Sequence, residues 1–112
     1  MAVNASYREW VLGQLGEVVP VRGKSMFGCV GVYSDELFFA IIDDGAVYFK
    51  VDDSNRADFE ESGMEPFAPY ENKSRVMPFY QVPEEVLEAP EVLHGWVEKS
   101  LMVAANGRGG AS

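Results

Sequence analysis

The sequence predicts an α+β domain: an antiparallel β-meander core flanked by helices, in two layers. Three observations predict it. Between Met26 and Val51, three apolar runs of strand length follow one another: Met26–Tyr33, Leu37–Ile42 and Val47–Val51. The links are short, Ser34-Asp35 and then Asp43-Asp44-Gly45. Asp-Gly supplies the positive backbone dihedrals of a tight hairpin. Near both ends of the chain, apolar residues recur at helical spacing. Strands are therefore expected at 27–34, 37–43 and 46–51.

The remaining elements follow in order. Ser6-Tyr7-Arg8-Glu9 has capping-box spacing. The helix it opens puts Tyr7, Trp10, Val11 and Leu15 on one face, with Trp10 as a buried anchor, and Gly16 stops it. Val18–Arg22 is β-branched but holds Pro20, so it reads as an edge strand. Gly23-Lys24-Ser25 ends like a phosphate-binding loop. That loop needs a glycine at position 18, where Val18 stands, so the motif is rejected. The stretch reads instead as a polar turn.

In the middle strand, strict alternation puts Leu37, Phe39 and Ile41 on one face and Phe38, Ala40 and Ile42 on the other. Both sets are apolar, so both faces need cover. Either a second copy of the chain or the loop after Phe67 supplies what the helices do not. Gly28 and Gly31 lie within the expected first strand and suggest a bulge or a close backbone approach. A short helix is expected at 56–62, with Ala57 and Phe59 inward and Gly63 as its cap. Phe67–Ser74 reads as a loop, and Val76–Val82 as a strand weakened by Pro78. Pro83-Glu84-Glu85 opens a short helix. Pro90-Glu91 opens a longer one, with Val92, Leu93, Trp96, Val97, Leu101 and Ala104 inward and a stop at Asn106-Gly107. Residues 1–105 form one domain, and 106–112 a flexible tail.

Composition narrows the function. The 112-residue chain carries 18 acidic and 9 basic residues, a net charge of −9 and a pI near 4.4. Nucleic-acid affinity rests largely on cations that neutralise phosphates, so direct nucleic-acid binding is not expected. Cys29 is the only cysteine, which leaves no internal disulfide and fits a reducing compartment. No apolar run reaches the ~20 residues of a membrane span. A cytoplasmic protein without membrane contact is expected. Cys29 reads as a small core hydrophobe rather than a nucleophile, because His94 is the only histidine and lies far off in sequence. His94 has no second histidine or nearby cysteine and reads as a boundary residue rather than a metal ligand. The acidic pairs, such as Asp43-Asp44 and Asp52-Asp53, lack calcium-loop spacing. No metal, cofactor or catalytic residue is expected.

The order of these pieces resembles the TfoX N-terminal domain family, named for a regulator of competence genes. The residues that carry the resemblance are Met26-Phe27-Gly28 with Gly31 and Tyr33; Val47-Tyr48-Phe49-Lys50-Val51-Asp52; Asn55-Arg56-Ala57-Asp58-Phe59 leading to Gly63 and Pro66-Phe67; and Val82-Pro83-Glu84-Glu85-Val86-Leu87 with Trp96. The resemblance runs from about Leu12 to Ala105. It departs at Cys29, where the family usually has a second glycine. It implies an α+β fold and brings no established catalytic residues.

Two functions of different classes are in view. The first is a non-enzymatic domain acting through protein contacts, in competence or transcription regulation, with a homodimer among the contacts. The alternative is a ligand-binding protein or enzyme with a pocket near Arg22, Lys24, Tyr48 and Lys50, whose cations suit an anion. Lys50 also reads as a salt-bridge partner of Asp52 or Glu36. Met26, Phe27 and Gly28 complete the set of candidate contact residues.

Overall fold

The computed structural model describes residues 5–26, 28–43, 45–66 and 78–110. The described elements run α1 (Ala5–Gly16), β1 (Arg22–Met26), β2 (Cys29–Ser34), β3 (Leu37–Asp43), β4 (Ala46–Lys50), α2 (Arg56–Glu61), β5 (Phe79–Gln81), α3 (Glu84–Leu87) and α4 (Pro90–Gly110). The five strands form one antiparallel sheet in the order β1-β2-β3-β4-β5. The fold is α+β, as the sequence predicts.

The meander starts one strand earlier than its apolar runs suggest. Arg22–Met26 is the edge strand, not a polar turn, and Pro20 lies before it. Proline has no N–H for a ladder, so the strand begins only once Pro20 is passed. Met26 pairs with Cys29 and closes the first hairpin. Gly28 therefore sits in the turn, not in the strand, at φ +81°. Only glycine adopts that region freely. The second hairpin closes at Ser34 and Leu37, with Asp35 at φ +54°. The third closes at Asp43 and Ala46, with Gly45 at φ +76°. Strand β5 spans only Phe79–Gln81, after Pro78, while the expected loop at Phe67–Ser74 and the residues Val76 and Met77 lie outside the described residues.

Strict alternation fails in β3. Val32 pairs with Ala40, but the next residue of β2, Tyr33, pairs with Phe38. Phe39 is the extra residue of a β-bulge. The bulge resets the phase of the strand. Leu37, Phe39, Ala40 and Ile42 all join the main core, while Phe38 and Ile41 belong to a second, smaller cluster. The expected sets Leu37/Phe39/Ile41 and Phe38/Ala40/Ile42 are thus both corrected.

The main core lies between the sheet and the helices. Val30, Val32, Val47 and Phe49 meet Val11 and Leu15 of α1, Phe59 of α2, Val86 and Leu87 of α3, and Leu93 and Val97 of α4. Complete burial of side chains of this size stabilises by about 1.5–3 kcal/mol each. Gln14 fastens α1 to α3 by donating to the Leu87 carbonyl at 2.8 Å. Phe59 stands edge-on to Trp96, with ring centroids 4.7 Å apart.

Several expected inward residues point elsewhere. Trp10 is 37% exposed and Val92 44% exposed. Trp10 follows one residue before Val11, so a helix that buries Val11 and Leu15 turns it toward the rim. Ala57 is exposed, because α2 buries Phe59 alone. Helix α1 already includes Ala5, so Ser6 lies within it rather than at its cap. Helix α4 continues past Asn106-Gly107 to Gly110.

Candidate functional site

The sheet face away from the main core is built from the pairing registers. Three rows cross it. The first is Arg22, Tyr33, Phe38 and, beyond Lys50 on β4, Phe79. The second is Lys24, Gly31, Ile41, Tyr48 and Gln81. The third starts at the hairpin pair Met26 and Cys29 and ends at Asp43 and Ala46. Ile41 and Phe79 are buried on this face, with Cys29, Phe38 and Tyr48 packed around them. No described helical residue belongs to this cluster.

The first row is a run of ring contacts capped by a cation. The Arg22 guanidinium carbon lies 4.9 Å from the centroid of Tyr33. Tyr33 stacks on Phe38 at 5.1 Å, and Phe38 meets Phe79 at 5.4 Å. Such contacts fix side chains that would otherwise lose rotamer entropy on binding. Arg22 also donates to the Asp35 carbonyl at 3.3 Å. The row is therefore held in place before any partner arrives.

The third row is acidic and tunes its neighbours. The Cys29 thiol donates to the Asp43 carboxylate, 3.6 Å from sulfur to oxygen. Burial and the nearby Asp43 charge push the Cys29 thiol above its ordinary value. The same two causes raise the Tyr48 hydroxyl. A raised thiol holds less thiolate at neutral pH, which makes Cys29 a poor nucleophile. Among the described residues, no three metal-ligating side chains gather. His94 lies on α4, half exposed, with Nε2 3.2 Å from the Glu98 carboxylate.

The candidate cations divide. Arg22 and Lys24 stand on β1, Tyr48 and Lys50 on β4. They share a face, but β2 and β3 separate them. Strands lie ~4.8 Å apart, so the two pairs are about 14 Å from each other. The structure brings them onto one surface, not into one small pocket. Lys50 makes no ion pair with Asp52 or Glu36; the described ion pairs are Arg56–Asp53, His94–Glu98 and Lys99–Asp58. Phe27 lies outside the described residues. Gly23-Lys24-Ser25 lies in a strand rather than in a loop that opens a helix.

The model of the TfoX N-terminal domain matches residues 13–104, most of the chain. The chain belongs to the TfoX N-terminal domain family. No curated protein matches it. No helix among the described residues is long and apolar enough to cross a membrane.

In this TfoX N-terminal domain, the residues that carry the family resemblance divide between the main core, where Val47, Phe49, Val51, Phe59, Val82, Val86 and Leu87 lie, and the described face with its turns. Gly28 is a turn residue, Tyr33 and Tyr48 stand on the face, and Lys50 ends β4. Sequence reasoning missed Tyr33 and Phe38 as contact residues, and Arg8 as a neighbour of β1. A hairpin register closing at Met26 and Cys29 would have found the first: it sets Arg22 opposite Tyr33. For Arg8 no sequence signal was available. Its place beside Gly23 comes from tertiary packing, which also sets Leu12 against the same glycine.

Proposed function

We propose that this TfoX N-terminal domain is a non-enzymatic, cytoplasmic regulatory module that works through protein contacts, in the control of competence genes or transcription. The row Arg22–Tyr33–Phe38, backed by the buried Phe79, carries the reading. Arginine and aromatic side chains, already held in place, are the residues that dominate protein interfaces. Family membership supports the regulatory setting. A second copy of the chain meeting at this face is one such contact.

Site-directed photocrosslinking in the native cell tests the reading. A photoreactive residue at Tyr33 is compared with one at Glu98 on α4. The reading expects a discrete protein adduct from position 33 and none from position 98. Equal labelling at both positions overturns it. So does a small anion that co-purifies with the native protein and is lost in Lys24→Ala or Lys50→Ala.

A further inference from the structure

The sheet has an outer edge at β1. Two residues separate Met26 from Cys29, so these form the hydrogen-bonded pair that closes the hairpin. Hydrogen-bonded and non-hydrogen-bonded pairs then alternate along the ladder. Lys24 and Arg22 also aim their backbone groups at β2. Gly23 and Ser25 aim theirs outward. Among the described residues, no backbone group bonds the amide of Gly23 or Ser25.

Cations flank this edge on both sides of the sheet. Arg22 and Lys24 are exposed on the face opposite the helices. On the helix side, the Arg8 Nη2 lies 3.6 Å from where a side chain on Gly23 would begin. None of the three forms an ion pair with a described carboxylate. That is unusual company in a chain with 18 acidic and 9 basic residues.

We propose that the β1 edge receives an extended, acidic segment of a partner protein as a sixth strand. The proposal rests on the protein-contact reading above and names the chemistry of one partner. An added strand would bond the outward groups of Gly23 and Ser25. Its side chains alternate between the two faces of the sheet. Carboxylates on one side meet Arg22 and Lys24, and those on the other meet Arg8. A second copy of β1 is a poor occupant, because it would set like charges opposite one another.

Amide hydrogen exchange on the full chain tests this. The probe is an end-blocked ten-residue peptide of paired glutamates and threonines, Glu-Glu-Thr-Thr repeated, which sets carboxylates on both faces of a strand, with a lysine-for-glutamate peptide as control. The acidic peptide should slow exchange at Gly23 and Ser25 at least tenfold and leave Lys24 unchanged. Raised salt and the variant R22E/K24E should each weaken binding about tenfold or more. Both substitutions are at exposed positions, and a cooperative melt of the variant confirms its fold. Binding without protection of Gly23 and Ser25 overturns the proposal, as does equal binding of the lysine peptide or no protection at millimolar peptide. Protection that grows with protein concentration alone assigns the edge to a second copy and also overturns it. If the edge fails while the Tyr33 adduct persists, only this proposal falls. If the adduct is absent as well, the protein-contact reading falls with it.

Discussion

The hydroxyl of Ser100 donates to the carbonyl oxygen of Lys50 at 3.0 Å, tying the middle of α4 to the end of β4. Asn55 donates to the same oxygen at 3.2 Å, and its own side-chain oxygen accepts the Asp52 amide at 2.9 Å. Both side chains are buried. Asn55→Ala strands the Asp52 amide, while Ser100 stays on the shared oxygen, and should cost about 1–3 kcal/mol in urea unfolding. Ser100→Ala leaves Asn55 on the shared oxygen and should cost about 1 kcal/mol. The double variant should deviate from additivity, because the two share a partner.

Gly23 is needed for space. A Cβ there would lie 3.0 Å from Val30 and 3.3 Å from Leu12. Gly23→Ala should destabilise by about 1–3 kcal/mol, the usual cost of overpacking. Leu12→Ala relieves one of the two contacts. In thermal melts, the double variant should therefore lose less than the sum of the singles.

The bulge at Phe39 makes a directional prediction. Phe39 is fully buried in the main core, and Phe38 is half-buried on the other face. Phe39→Ala should cost about 3–5 kcal/mol. Phe38→Ala should cost clearly less. Phe39→Asp puts an unpaired charge in the core and should prevent folding. A cooperative Phe39→Asp melt would contradict the core assignment.

Alkali should unfold the chain earlier than its carboxylates would suggest. Burial, then Asp43, raises Cys29 from its ordinary 9.0. Burial raises Tyr7 and Tyr48 from 10.0, helped by Glu84 and Asp43 respectively. Each group ionises more readily in the unfolded chain. Their contribution is complete below the ordinary values and is lost as pH rises through the raised ones. Tm should be insensitive to these groups from pH 6 to 8 and fall above about pH 9. Tyr48→Phe should flatten that fall. Iodoacetamide should modify Cys29 more slowly than free cysteine at pH 8, and Asp43→Asn should speed the reaction.

A net charge of −9 predicts no appreciable binding to duplex DNA at physiological salt. A gel shift at micromolar protein with a steep salt slope would contradict this.

The sequence revealed the sheet where strand residues and turn residues agreed. Val47–Val51, bounded by Asp-Gly, was legible on both counts. β1 was not, because Gly23 and Ser25 are weak strand formers and their neighbours carry charge. Tertiary pairing with Val30 and Val32 holds them in the sheet. The bulge was hidden by composition: Leu37 to Ile42 is apolar throughout, so a phase reset leaves no trace in the pattern. Trp10 misled for another reason. A narrow buried stripe on α1 leaves its largest side chain at the rim. Of the candidate site, Arg22, Lys24, Tyr48 and Lys50 were legible as residues, but their separation across two strands was not.

The strand order has a consequence for synthesis. Strands β1 to β4 occupy residues 22–50 and pair only with their neighbours in the chain. Such local pairings form fast. Helix α4, which covers the apolar side of β3 and β4, begins forty residues later, at Pro90. At ~5–20 residues per second, a ribosome needs about 2–8 s to reach it. For those seconds a nascent sheet shows Phe39, Ile42 and Phe49 to solvent without their lid. Translation speed between Lys50 and Pro90, rather than the stability of the finished domain, then sets how much of the chain escapes aggregation.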